Sequence, residues 1–477
     1  MTPSLASLTG SGRVRAGALW GTVLALGALC GALTSQGQPW LGYAVLVALA
    51  YVAAVAVRPT LGVVGVVAVV YLLPFGVAPA PFGGIKPSLL DITLSLVLGI
   101  WVLRTLAERR DAIVLTPAGP AVLAFLGIMV TALLLSQDTV TAEVFRFFVK
   151  AVNSVLLYFT VVNVLRSGSD LVLVGRMLLL AAGGAAAAAV GLYLAPPGLA
   201  TDLLLSLGRV GYPSGEKLLR YIADTETLRA IGTAVDPNVL GGMMAVALPL
   251  VTAQVADARP VLRRRWTLPL LGLVAAALAL TYSRGAWFGA ATGVMFLAGV
   301  RYRRLWLAGG VAGAGVVASP PGQQLLDRFF SGVTFTDRAA QMRLGEYKDA
   351  LRLIAQYPVF GVGFGQAPSL DLYVASSSIY LLIASQMGLV GVAAFLLCVG
   401  LVLHGAWRAA GRLSHPQLPG LMLGVGAGVL GALSAGLFDH YFFNLQFPHT
   451  IALLWLFLGL LAALAQQAQS SASPSGG

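Results

Sequence analysis

Arg284 stands alone in Tyr282-Ser283-Arg284-Gly285, between apolar stretches at 267–282 and 285–300, where no basic run accounts for it. A permanently charged guanidinium in such a place is costly, so it implies an anionic ligand. Lys86, Arg146, Lys150, Arg229 and Arg343 are similarly out of pattern. As a set these cations suit a diphosphate, because each makes charge-assisted hydrogen bonds to phosphate oxygens and an Arg makes two at once. Simpler readings stand beside this one. Glu143, Arg146 and Lys150 are spaced at three and four, so Glu143 can pair with Arg146 on one helix face while Lys150 snorkels. Arg284 also suits a lipid headgroup phosphate, Lys86 also suits Asp91, and Asp236-Pro237-Asn238 after Arg229 also reads as a turn and helix cap.

The elements that must position these charges follow from composition. Of 477 residues 58% are hydrophobic and 10% charged, with mean hydropathy +0.86, which excludes a soluble globular domain. At roughly 20 apolar residues per ~30 Å of hydrocarbon, about fourteen segments qualify. They lie near 16–35, 39–57, 59–80, 88–106, 117–136, 144–165, 170–195, 238–255, 267–282, 285–300, 305–318, 378–403, 420–437 and 449–465. The expected fold is an all-α polytopic membrane protein of about 12–14 transmembrane helices, since spanning strands would read as short alternating segments. Net charge +12 does not point to nucleic acid, because the positives sit in short loops between apolar runs. Cys30 and Cys398 fall inside apolar segments, giving neither a disulfide framework nor metal-site spacing. Arg13 and Arg15 precede an apolar run without an obvious cleavage site, which reads as a retained first span.

With the N-terminus inside, every second loop is basic: Arg13 and Arg15, Arg58, Arg104 with Arg109 and Arg110, Arg166, Arg259 with Arg263 to Arg265, Arg301 with Arg303 and Arg304, then Arg408 and Arg412. Both termini are therefore expected in the cytoplasm. The rule also divides 267–300 into two short passes, because the basic loops on either side must share a face, and this puts Arg284 at an outer turn. The outward segments are then 81–87, 137–143, 196–237, 282–285, 319–377 and 438–448.

A single transmembrane domain is expected over 1–465, with long outer loops near 196–237 and 319–377, and a disordered Ser-, Ala-, Gln- and Gly-rich tail at 466–477. Within the larger loop, Asp337 to Tyr357 reads as an amphipathic helix: Ala340, Leu344, Tyr347, Leu351 and Ile354 share a face, while Arg343, Glu346 and Asp349 lie elsewhere. Pro358 ends it. The run Gly361-Val362-Gly363-Phe364-Gly365 lacks the Lys-Ser/Thr ending and preceding strand of a nucleotide loop, and reads as a flexible turn beneath the helix.

Arg229 to Asn238, then Leu240 to Leu250 and Tyr282-Ser283-Arg284-Gly285-Ala286-Trp287, resemble the core of the O-antigen ligase and polymerase superfamily. The similarity continues through Arg343, Tyr347 to Ala350, Tyr357 to Gly363, Tyr380-Leu381, Gly388 to Gly391 and Leu454 to Leu460, covering roughly residues 80–460 in order. The resemblance implies a GT-C-like, metal-independent glycosyltransferase of the bacterial cytoplasmic membrane, active on its outer face and without a cofactor. Such enzymes move a glycan from undecaprenyl diphosphate to an acceptor hydroxyl: a lipid A core sugar for ligases, a second lipid-linked unit for polymerases, a protein Ser or Thr for oligosaccharyltransferases. Its implied partners are the lipid-linked donor, a glycan acceptor, membrane lipids and a chain-length regulator. The family's outer-face cations map onto Lys86, Arg229 and Arg284, with Arg343 as a further loop residue. Arg284 and Arg229 are the expected catalytic cations.

One departure separates the subfamilies. Ligases carry a histidine just before the Tyr-Leu that here is Tyr380-Leu381, and Ser377 occupies that place. An unassisted serine is a poor base near neutral pH, so the polymerase reading is preferred. Glu346, Asp371, Asp439 and His440 are the outward-facing substitutes, and Glu346 ranks first because it shares a helix with Arg343. From another class, a transporter of lipid-linked or anionic substrate would need repeat symmetry and ionisable groups near the midplane of both halves. The unexplained cations instead cluster at one face.

Overall fold

The computed structural model describes residues 39–77, 87–108, 113–137, 139–213, 218–222, 225–319, 322–323, 326–327, 338–365 and 377–470. The helices are α1 (Pro39–Val57), α2 (Thr60–Leu72), α3 (Leu89–Glu108), α4 (Gly119–Leu134), α5 (Ala142–Val164), α6 (Gly168–Leu194), α7 (Pro197–Ser206), α8 (Pro237–Ala256), α9 (Arg264–Leu280), α10 (Arg284–Val300), α11 (Arg304–Ala318), α12 (Arg338–Gln356), α13 (Ile379–Ala409), α14 (Leu418–Ala435) and α15 (Pro448–Ser470). Among the described residues strands are limited to a two-residue ladder, β1 (Arg220–Tyr221) with β2 (Leu228–Arg229). The protein is thus an all-α polytopic membrane protein. Every apolar segment expected after the first contains a helix, that of 59–80 ending at Leu72, and the first, 16–35, lies outside the described residues.

Among the described residues seven helices, α3, α5, α6, α8, α13, α14 and α15, are long and apolar enough to cross a membrane. Each of α9 and α10 has 17 residues, about 25 Å at 1.5 Å per residue, slightly short of a ~30 Å core. The division of 267–300 into two short helices is therefore present, with the break at 281–283.

The chain divides into two compact units, residues 1–61 and 62–477. In the first unit α1 is apolar on all sides yet leaves Tyr43, Val47 and Val57 exposed, so it contributes little packed core of its own. In the second, α8 and α15 form the interior, buried over 83% and 89% of their membrane-length windows against 28% for α3. Their burial on every side accounts for residue runs that are apolar all round rather than amphipathic. Small residues let helices close on α8 and α14. A Cβ at Gly289 of α10 would lie 2.4 Å from the Gly431 carbonyl oxygen of α14, so only glycine permits this approach. At the C-terminus α15 continues through Ser470, beyond the expected tail boundary at 466, because Gln466, Gln467 and Gln469 are adequate helix formers.

Loops sort to two ends of the second unit. At one, Gln137 N–H donates to the Val362 carbonyl at 3.0 Å, Ala230 N–H to Leu280 at 2.8 Å and Ile379 N–H to Gly436 at 2.9 Å. At the other, Arg176 Nε donates to the Val261 carbonyl at 2.7 Å, Gln417 Nε2 to Pro260 at 2.8 Å and Tyr302 OH to Asp257 Oδ2 at 2.6 Å. This is the partition that charge alternation gave: loops expected outside meet one another, and basic loops meet one another.

Candidate functional site

The first end holds a cavity of about 480 Å³ lined by the start of α5 (Val144, Phe147), the start of α8 (Asp236, Asn238), Phe364, Gln386 of α13 and the loop ahead of α15 (Asp439, His440, Tyr441, Asn444). Its walls follow from local sequence rules. Asp236 caps α8: its Oδ1 accepts from Asn238 N at 2.7 Å and Val239 N at 3.2 Å, with Pro237 at the first helical position. Gly388 has φ 69° and ψ −175° inside α13, which breaks the helix and exposes backbone groups. The 358–363 loop takes them: Val362 N–H donates to Ser385 O at 2.8 Å, Gly363 N–H to Gln386 O at 3.0 Å, and Leu389 N–H to Pro358 O at 2.8 Å. The glycine run is therefore a docked loop and not the flexible turn expected from its composition. Its ladder with the broken helix sets Phe364 and Gln386 in the cavity wall.

Arg229 and the turn before Arg284 are joined at this end. Arg229 Nε donates to the Thr281 carbonyl at 2.7 Å, and its terminal nitrogen donates to Asn238 Oδ1 at 2.7 Å. The guanidinium thus ties the α9–α10 turn to the cavity wall. Arg284 is the first residue of α10 and is partly buried, where its charge opposes the helix dipole. Gly285 meets the Phe438 backbone side, a Cβ there falling 3.1 Å from Phe438 Cβ, which brings this turn beside Asp439. Among the described residues the non-glycine positions with positive φ are Val235, at 69°, and Tyr282, at 52°. Both flank the Arg229–Asn238 and Arg284 turns, and such strain is most often held at functional sites.

The other expected residues separate into two places. Arg343 lies 3.8 Å from Asp439 Oδ2, and Ser377 donates both its N–H, at 3.0 Å, and its hydroxyl to Glu346 Oε2. Tyr347 OH donates to the Leu437 carbonyl at 3.2 Å. The face of α12 turned to the cavity end therefore carries Arg343, Glu346, Tyr347, Ala350 and Leu353, whereas Leu344 and Leu351 are exposed. The expected apolar face is thus divided, with Tyr347 turned to the cavity end beside Arg343 and Glu346 while Leu344 and Leu351 stay exposed. Partners at 377, 437 and 439 draw the polar side inward, and apolar side chains of a membrane protein need no protein cover. Arg146 and Lys150 stand elsewhere, in a second cavity of about 380 Å³ with Glu143 and Asp91. Lys150 Nζ is 2.9 Å from Asp91 Oδ2, so Asp91 pairs with Lys150. Lys86 and Asp371 lie outside the described residues.

Sequence reasoning missed four groups. Gln386 Oε1 and Tyr441 OH are buried atoms of the cavity wall with no hydrogen-bond partner among the described residues, a place for a ligand hydroxyl; a lone amide in an apolar span was the available signal for Gln386. Asn238 was read only as a cap residue. Arg220 faces Arg229 across the β1–β2 ladder, and like charges directly opposite repel, a repulsion that an anion relieves. Its basic character in a long loop was the clue.

His440 and Asp439 form a hydrogen-bonded pair in the cavity wall. Asp439 Oδ1 accepts from His440 N at 2.9 Å and lies 3.1 Å from Nδ1. Burial opposes charging of the imidazole, but the hydrogen bond to Asp439 and the negative charges of Asp439, Glu346 and Asp236 outweigh it, so its pKa is raised above the ordinary value. Among the described residues no three His, Cys, Asp or Glu side chains cluster to hold a metal ion. No curated protein matches the chain. Residues 268–396, which include Arg284, Arg343, Glu346, Ser377 and the α13 kink, match the family model for O-antigen ligase, so this part of the chain is similar to that family.

Proposed function

We propose that the protein polymerises undecaprenyl-diphosphate-linked oligosaccharide units into a surface polysaccharide on the outer face of the cytoplasmic membrane. The observation that carries this is the convergence, around one cavity end, of Arg229, the Arg284 turn and Arg343 with Asp439, His440 and Glu346. The basic loops gathered at the opposite end support placing the cavity outside. Cleaving the bond between the anomeric carbon and phosphate builds negative charge on the departing diphosphate and positive character on the sugar. Guanidinium groups fixed in advance stabilise that charge more in the transition state than in the ground state, so they act without added metal. Arg284, Arg229 and Arg343 take this role, with Lys86 retained from the sequence. Arg146 and Lys150, at the second cavity, are left out of it.

The family match favours a second reading, transfer to a lipid A core sugar or to a protein, because the matching model is that of O-antigen ligase. Ser377 at the ligase histidine position favours polymerisation. The test is reconstitution in proteoliposomes with the lipid-linked oligosaccharide extracted from a strain lacking this protein. We expect a ladder of lengthened lipid-linked products. Transfer only after a lipid or protein acceptor is added would replace polymerase by ligase or oligosaccharyltransferase, and flux without transfer would replace both by a transporter.

A further inference from the structure

Glu346, the base preferred from sequence, has Oε2 occupied by both donors of Ser377. That contact fastens the segment ahead of α13 to α12, which is a structural task. The cavity offers another group. His440 lines it and keeps 22% of its side chain accessible, whereas Asp439 keeps 6%. Asp439 is held on both sides, by His440 through Oδ1 and by Arg343 through Oδ2. A buried carboxylate against Nδ1 fixes the tautomer with its proton there, which leaves Nε2 as a free lone pair. The charged and titratable groups around the imidazole are Asp439 from its own loop, Arg343, Glu346 and Tyr347 from α12, Asp236 ahead of α8, and neighbouring Tyr441.

We propose that His440, oriented by Asp439, is the general base that activates the acceptor hydroxyl. The inference rests on the glycosyl-transfer reading above. Nε2 takes the hydroxyl proton as the acceptor oxygen bonds to the anomeric carbon. The bond from that carbon to the phosphate oxygen breaks, and its electron pair leaves on undecaprenyl diphosphate. The resulting imidazolium, stabilised by Asp439, passes its proton to solvent. Arg343 links the two halves of the reaction, because one carboxylate touches both the base and a cation of the diphosphate set. His440 is the catalytic residue here, and Asp439 is a positioning residue.

Neutral His440 is the working form, so turnover rises as pH rises through its pKa. A raised pKa puts this acid limb above the ordinary histidine range, near 6.5. The experiment measures pH–rate profiles of proteoliposomes with the oligosaccharide lipid extracted from the deletion strain. His440→Gln is expected to lose about 10²- to 10⁴-fold in kcat, with the donor KM little changed. Asp439→Asn is expected to slow turnover and move the acid limb to lower pH, a shift that mere loosening of the fold would not cause. His440→Gln turning over within about twofold of wild type, or a wild-type profile without an acid limb, would overturn the assignment and leave the polymerase reading intact. Wild type that makes no lengthened product defeats the polymerase reading instead, whatever the variants do.

Discussion

The two ends of the second unit use the same residue types in opposite ways. At the end away from the cavity, Arg263, Arg264 and Arg265 are exposed, and Asp257 accepts from Tyr302 OH and Arg259 N. Those arginines have a topological explanation and Asp257 a structural one. At the cavity end, Arg229 and Arg343 are partly buried, spread over different loops, and joined to groups that line open volume. Strained Val235 and Tyr282 lie there as well. Charge count alone does not mark a site; what marks it is cationic groups brought together from separate loops around space that the protein leaves unfilled.

The comparison breaks most visibly at Arg284. Arg284→Ala is expected to abolish polymer, a loss on the order of 10²- to 10³-fold for one transition-state cation, while the protein still reaches the membrane. The glycan ladder of a deletion strain carrying the variant reads this directly, and an unchanged ladder would remove Arg284 from the reaction. Arg284→Lys should also be impaired, because a point charge replaces a planar fork. A fully active Lys variant would reduce the site to net charge.

At Gly388 the expected effect is on stability first. The backbone there has φ 69° and ψ −175°, a region essentially restricted to glycine, and a Cβ would lie 1.9 Å from the Val359 carbonyl oxygen. Gly388→Ala should cost more than ~1–3 kcal/mol, seen as a lower unfolding midpoint in detergent, with activity falling as Gln386 and Phe364 shift. An unaltered midpoint would mean that the docked 358–363 loop does not hold the cavity wall.

Much of this architecture was legible in the residues. Apolar runs located the helices, and the parity of basic loops located the 281–283 break, since both rest on local patterns that the membrane enforces. The face of α12 was not legible. In a soluble protein the side with Leu344 and Leu351 would pack inward, but in a membrane protein an apolar stripe can remain on the outside, and partners 31 and 90 residues away decided the rotation. The glycine run at 361–365 was misread for the same reason: its acceptors belong to a helix break at Gly388, and nothing local reveals a ladder between a loop and a broken helix. Asp439-His440 was visible as a polar pair, yet its link to Arg343 required the fold.

The smallest effects belong to the opposite end. Arg263→Ala and Arg265→Ala remove exposed charges, which changes stability by no more than about 0.5 kcal/mol. Turnover per inserted molecule should stay within about twofold of wild type by the same reasoning. What these substitutions can lower is the amount of correctly oriented protein, because Lys and Arg in short loops set orientation during insertion. Separating the two readouts therefore sharpens the contrast between the ends: membrane level should respond at 263 and 265, and specific activity at 284. A fall in specific activity at Arg263 comparable to that at Arg284 would mean that the basic loops take part in the reaction, and the assignment of separate tasks to the two ends would fail.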